Sequence, residues 1–323
     1  MSGTGPQTFD GREIPHNASE TRWMAADGHE IRRIDWPCAG ACRGSILYFP
    51  GRGDFYEKYL ETLNYWNSRG WRVTAADWRG QAGSGRLGAD AVTGHVRDFS
   101  VWTDDLAAFW KDWKASVPGP HVLAAHSMGG HIVLRALAER RVDPDAMVLS
   151  APMLGFHTYG LPLPLLHAVA RLMCKLGDRR RPAWKWSEKP GQVPAGRDAL
   201  LTHDARRYED EMVWREKRPE LVMGPGSWGW VERAYASTMA LFRPGNLEAV
   251  RAPVFIVGTE KDMLVSARAI HQAAERLPDC ELHMYGEEAR HEILREVDAL
   301  RDQVLARIDD FLDRKAPLKA EWR

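Results

Sequence analysis

The stretch Ala124-Ala125-His126-Ser127-Met128-Gly129-Gly130 constrains the chain more than any other, because it sets one serine between two apolar runs of different period. Residues 121–125 have the character of a buried parallel strand, while Ile132, Val133, Leu134, Ala136 and Leu137 beyond the glycines suit a helix packed on a sheet. A serine at such a corner is strained and crowded, so small residues are wanted two places before and two after it, the G-x-S-x-G pattern of a nucleophile elbow. Those places hold Ala125 and Gly129, and a methyl in place of a hydrogen is a mild departure.

The rest of the chain extends the same alternation. Residues 45–49, 71–78, 121–125, 146–150, 254–258 and 282–285 read as strands, and 56–69, 99–115, 128–140, 267–276 and 291–314 as helices. In the last helix Ile293, Leu294, Val297, Leu300, Val304, Leu305, Ile308 and Leu312 recur at three- and four-residue steps and predict one apolar face. Residues 22–36 are expected to add antiparallel strands. The fold class expected is therefore α/β, a mainly parallel central sheet flanked by helices. Between residues 153 and 246 the alternation stops, and Leu161-Pro162-Leu163-Pro164, Arg179-Arg180-Arg181 and tryptophans at 184, 186, 214, 228 and 230 appear. That segment reads as an inserted helical cap above the carboxyl ends of the strands, where ligands bind in open α/β sheets. The organisation expected is a flexible N-terminal arm (1–20), a first core part (21–152), the cap (153–246) and a second core part (247–323).

Composition narrows the partners and the compartment. Lys and Arg number 44, as do Asp and Glu, so no net charge favours nucleic acid, and no obligate protein partner is evident. Four cysteines are too few and irregular for a disulfide framework. Cys38 and Cys42 lack the spacing of a zinc site, which leaves ordinary thiols in a reducing compartment as the expectation. No signal-peptide pattern opens the sequence, and no apolar run reaches the roughly 18 residues of a spanning helix. A cytoplasmic location is expected, with peripheral contact at the inner membrane face as a secondary expectation.

A serine hydroxyl attacks only when a base takes its proton, and the base needs a carboxylate to hold its tautomer. In chain order the acid and then the histidine should follow late strands. Asp262 stands after Pro253-Val254-Phe255-Ile256-Val257-Gly258, and His291 follows Leu282-His283-Met284-Tyr285 at the expected start of the last helix. Glu260 is the rival acid. His126 adjoins the serine, but a sharp turn directs neighbouring side chains apart. His121, His126 and His131 are about 140° apart per step on a helix, which makes no metal face. Two backbone N–H groups should hold the oxyanion, those of Met128 and of Arg52 in Pro50-Gly51-Arg52-Gly53, with Gly51 permitting the tight turn. Substrate contacts are expected at Gly51, Trp228 and Trp230.

From residue 46 to the last helix the chain resembles the bacterial lysophospholipase and monoacylglycerol lipase group of α/β-hydrolases, relatives of the serine aminopeptidases. The resemblance rests on Pro50-Gly51-Arg52, Asp77-Trp78-Arg79-Gly80-Gln81 with Ser84-Gly85-Arg86, Gly94-His95-Val96, Asp104-Asp105-Leu106, His126-Ser127-Met128-Gly129-Gly130, Ser150-Ala151-Pro152-Met153 and Ala289-Arg290-His291-Glu292. It implies hydrolysis of a carboxylic ester on a single-chain lipid through an acyl-enzyme, with no metal or organic cofactor. It also implies Ser127, Asp262 and His291 as triad and Arg52 and Met128 as oxyanion donors. Pro50, where many relatives carry His, and Ala125 depart from the pattern without removing a catalytic group. An aminopeptidase or small-ester hydrolase is the alternative, favoured if acids in the cap, of which Glu209, Asp210 and Glu211 are the densest cluster, read a free amine. A non-catalytic binding protein on the same fold is the remote one. In the cap, Leu163, Leu165, Leu166, Val169, Leu172 and Met173 suit an acyl tunnel or a membrane face beside Lys175, Arg179, Arg180, Arg181 and Lys185, or else a helix packed on the core.

Overall fold

The computed structural model describes residues 9–158, 160–185, 188–189 and 191–318; Trp186 and residues 1–8 of the expected arm lie outside the described residues. The elements run β1 (Ser19–Met24), β2 (Glu30–Trp36), β3 (Gly44–Phe49), α1 (Leu60–Ser68), β4 (Trp71–Ala76), α2 (Ser100–Ser116), β5 (His121–His126), α3 (Ser127–Ala138) and β6 (Ala146–Ser150). Then come α4 (Leu163–Lys175), α5 (Asp198–Leu201), α6 (Ala205–Lys217), α7 (Trp228–Leu241), β7 (Val254–Thr259), α8 (Ala267–Arg276), β8 (Cys280–Tyr285) and α9 (Asp298–Lys315). Among the described residues eight strands form one sheet in the order β1-β2-β4-β3-β5-β6-β7-β8. The β1–β2 and β2–β4 pairs are antiparallel, and every later pair is parallel.

The four central strands β3, β5, β6 and β7 are buried along their whole length, which is why they read as unbroken apolar runs. Alternate side chains feed two cores. Leu47, Phe49, Leu123, Leu149 and Ile256 meet Phe99 and Trp102 on one side, with Ile132 and Ile270. Ile46, Tyr48, Val122, Val148 and Phe255 meet Leu60 and Leu63 on the other, with Leu305 and Ile308. At roughly 1.5–3 kcal/mol per fully buried large apolar side chain, these two layers dominate the stability of the scaffold.

Two expectations need correction. The last helix begins at Asp298, not at residue 291, after a 3-10 turn at Ile293–Arg295. The N–H groups of His291 and Glu292 donate to the carbonyls of Leu200 (3.4 Å) and Leu201 (2.8 Å), so this segment is held across to α5 instead of winding up. Val297, expected on the apolar face, caps the helix in an extended conformation and is exposed. Cys38 and Cys42, expected as thiols, form a disulfide across the turn Ala39-Gly40-Ala41, their Cα atoms 5.7 Å apart. The short turn places both within bonding reach. That pairing removes the cysteine ground for expecting a reducing compartment.

Between β6 and β7 the elements among the described residues are α4 to α7 and a 3-10 turn at Pro219–Leu221. α6 and α7 open on side-chain caps, Asp204 accepting from the N–H of Arg207 and Ser227 from that of Trp230. No helix among the described residues is long and apolar enough to cross a membrane.

Candidate active site

The corner after β5 is as tight as the motif requires. Ser127 has φ +52°, the left-handed region that a side chain enters only when its surroundings hold it there. A Cβ on Gly129 would lie 2.4 Å from the carbonyl oxygen of Pro50, and one on Gly51 would lie 3.0 Å from the Cβ of Ser127. These glycines let the Pro50-Gly51-Arg52 loop and the start of α3 press together. Ala125 lies within β5 and has no positive φ, so its methyl costs nothing there.

Three side chains from distant parts of the chain converge at that corner. His291 Nε2 lies 2.9 Å from Ser127 Oγ, and His291 Nδ1 lies 2.7 Å from Asp262 Oδ2. Asp262 sits in the loop after β7, its other oxygen accepting the N–H groups of Leu264 (2.8 Å) and Val265 (3.0 Å). Glu260, the rival acid, is turned away to His271 at the surface, 2.6 Å off. Burial alone would lower the His291 pKa. The Asp262 charge and hydrogen bond, helped by Glu292 and Asp54, outweigh it and leave the pKa raised above the usual 6.5. Burial alone would raise that of Asp262, and the His291 charge and hydrogen bond with the two backbone donors hold it below the usual carboxylate value. In this arrangement the imidazole can take the hydroxyl proton while the carboxylate stays ionised and steadies the cation that forms.

The N–H of Arg52 has no acceptor among the described residues. That of Met128 is in the first turn of α3, where a helix offers no internal partner. Both flank Ser127 and are free to meet an oxyanion. The loop is held on either side, because Asp54 Oδ2 accepts the N–H of Gly51 (3.3 Å) and Gln81 Oε1 that of Gly53 (2.8 Å).

With this geometry in hand, residues 40–298 match the serine aminopeptidase S33 family. The chain belongs to that family. Lysophospholipase L2 of Escherichia coli strain K12 is 29% identical over 286 residues, 83% of this chain and 80% of that one. Monoacylglycerol lipase of Mycolicibacterium smegmatis is 27% identical over 272 residues, 84% and 89% of the two chains. The crystal structure of a soluble variant of monoglyceride lipase from Saccharomyces cerevisiae, in complex with a substrate analog, superposes with a TM-score of 0.72 at 19% identity, covering 96% of this chain and all of that one. It shares the α/β-hydrolase fold.

In this S33 member Ser127 opens onto a cavity of about 550 Å³. Its lining includes the apolar Met153, Phe156, Val231, Ala234, Leu264 and Val265. Arg52, Trp184, Glu188, Arg197 and Met223 line it as well. Trp228 and Trp230 both line it, whereas Trp214 does not and instead donates to the carbonyl of Gly11 (2.7 Å). None of the six apolar cap residues expected to line an acyl tunnel does so. α4 lies on α7, with Ala170 buried and His167 bonded to Glu232 (2.9 Å). Leu165, Val169 and Leu172 face outward, continued at either end by Leu161 and Leu176.

A group the sequence reasoning missed lies behind His291. Lys58 Nζ lies 2.5 Å from both Asp54 and Glu292 and 3.2 Å from Glu211 of α6, all of them buried. Asp54, His126 and Glu292 bring potential ligand atoms within 4.8 Å of one another, but the ammonium already neutralises those carboxylates. His126 Nδ1 lies 3.1 Å from the carbonyl of Ser150, and burial pulls the ring's pKa down to about 4, so it is a neutral packing group. The i, i+4 spacing of Asp54 and Lys58 was the available signal, and it looks the same as a surface pair. The acidic cluster of the aminopeptidase alternative is spent elsewhere. Glu211 pairs with Lys58, Arg197, Arg215 and Arg295, Asp210 with Arg12, and Glu209 is exposed.

Proposed function

We propose that this protein is a serine hydrolase that cleaves the carboxylic ester of monoacyl lipids, lysophospholipid or monoacylglycerol, through an acyl-enzyme. The observation that carries this is the continuous Ser127–His291–Asp262 hydrogen-bond chain at the wall of a cavity lined by many apolar side chains. Relatives named lysophospholipase and monoacylglycerol lipase support it. His291 takes the proton of Ser127 Oγ as the oxygen attacks the ester carbonyl, and the N–H groups of Arg52 and Met128 hold the oxyanion. The imidazolium then protonates the leaving alcohol. Water, deprotonated by the same imidazole, releases the fatty acid. None of these steps calls on a metal or an organic cofactor.

Residues 153–246 act as the cap in this reading, supplying Trp228 and Trp230 as cavity walls, and the acyl chain lies along the apolar lining. The outward face of α4 rests on a lipid surface with Lys175, Arg180 and Lys185 nearby, as a peripheral contact. Ser127→Ala is expected to abolish fluorophosphonate labelling and p-nitrophenyl ester turnover while the circular dichroism spectrum is unchanged. Labelling that survives would put the nucleophile elsewhere.

A further inference from the structure

Arg52 has so far been used only through its backbone, yet its side chain is the more unusual feature. The guanidinium lies at the cavity against two indoles, its Cζ 5.1 Å from the Trp184 ring centroid and 5.0 Å from that of Trp230. Its Nη2 donates to the carbonyl of Gly224 (2.7 Å). Nε is buried without an acceptor, and Nη1 meets no acceptor among the described residues. No carboxylate among the described residues pairs with it. Glu188 is close enough to act on its charge, but that carboxylate is bonded to Arg197 (2.5 Å). Burial draws the Arg52 pKa down to about 10, which still leaves a full cation near neutrality. A desolvated cation with unused donors in a substrate cavity is costly in the empty protein, and an anionic ligand reverses that cost.

We propose that the Arg52 side chain reads the phosphodiester of a lysophospholipid head group, so that the site discriminates for lysophospholipid over monoacylglycerol. The reach is right. The ester carbonyl carbon and the phosphorus of a 1-acyl lysophospholipid are separated by as many covalent bonds as the Arg52 amide nitrogen and its own Cζ. With the carbonyl oxygen on the Arg52 N–H, the glycerol backbone is long enough to bring the phosphate beside the guanidinium. The acyl chain then runs along the apolar lining that includes Met153, Phe156 and Val231. Guanidinium and phosphate form charge-assisted hydrogen bonds through the donors left open, and the adjacent indoles keep water from competing. Monoacylglycerol offers only a hydroxyl there and leaves the cation uncompensated. The phosphodiester itself is not cleaved.

This rests on the ester-hydrolase reading of the same site, and the test separates the two. The kcat/KM of the full-length protein is measured on 1-oleoyl lysophosphatidylethanolamine and on 1-oleoylglycerol in the same neutral detergent micelles, for wild type, Arg52→Met and Arg52→Lys. Wild type is expected to favour the lysophospholipid. Arg52→Met is expected to lower the lysophospholipid-to-monoacylglycerol ratio tenfold or more, and Arg52→Lys by less, because a point charge keeps attraction but loses the fork. A ratio unchanged in Arg52→Met, both rates falling together, overturns the proposal. Should Arg52→Met not fold, ether-linked analogues of the two lipids are compared as inhibitors of p-nitrophenyl butyrate hydrolysis by wild type. Tighter inhibition by the phosphate-bearing analogue supports the proposal, and equal inhibition overturns it. If wild type hydrolyses neither lipid nor the p-nitrophenyl ester, the reading of the site itself has failed.

Discussion

At the residue scale, the proposed mechanism makes the protonation state of His291 decide when the site can work. Only the neutral ring accepts the Ser127 proton, and Asp262, by favouring the cation, raises the pH at which the ring becomes neutral. The kcat/KM for an uncharged p-nitrophenyl ester is therefore expected to rise with pH along a limb centred above 6.5, the ordinary value. Asp262→Asn removes the raising charge and leaves burial to dominate. The limb should move to lower pH, and turnover should fall by about 10⁴-fold through loss of the correct tautomer. A limb that stays in place in Asp262→Asn would mean another group titrates. Ser127, Asp262 and His291 were all legible because each is fixed by chain order relative to a strand. Lys58 was not, because nothing in the order of residues says that three carboxylates from three elements will meet around it.

At the scale of elements, strand-helix alternation was readable because a strand covered on both faces leaves a continuous apolar run, as in residues 254–259. Boundaries failed where tertiary contacts outweigh local pattern. The segment from His291 to Val297 carries apolar residues at helical spacing but is kept out of the last helix, apart from the 3-10 turn, by its bonds to α5 and by the pairing of Glu292 with Lys58. In the cap, the five tryptophans were indistinguishable by composition, and only packing separates Trp230 in the cavity from Trp214 outside it. α4 divides in the same way. One face packs on α7, while Leu165, Val169 and Leu172 are about half exposed, at 51%, 46% and 53%. An exposed apolar stripe of that length with basic neighbours suits a lipid surface. Changing these three to Ser should cut sedimentation with anionic liposomes severalfold while p-nitrophenyl butyrate turnover in solution stays the same. Equal sedimentation of variant and wild type would assign the stripe another role.

At the scale of the whole molecule, the buried ionic cluster ties α6 to the segments before α1 and after β8. Glu211 comes from α6, Lys58 and Asp54 from the loop and turn before α1, and Glu292 and Arg295 from the segment carrying His291, so moving α6 away would break ion pairs next to His291. Breaking a buried pair by deleting one partner typically costs about 3–5 kcal/mol, since the remaining charges stay desolvated. Lys58→Met is therefore expected to lower the unfolding free energy by about that amount at pH 7. It should also reduce kcat/KM, because Asp54 would no longer be anchored beneath the N–H of Gly51. The pH dependence supplies the sign. Burial alone would raise the Glu292 pKa, but Lys58 and Arg295 bring it down to about 2 from an ordinary 4.5. Its stabilisation is thus present above 4.5 and is lost as pH falls from there toward 2. Without Lys58, Glu292 protonates at higher pH, which relieves the unpaired charge. The gap between wild type and Lys58→Met in urea unfolding should then be widest near neutrality and narrow on acidification. A gap that is absent at pH 7, or constant down to pH 4, would show that the lysine does not hold α6 to these segments by charge.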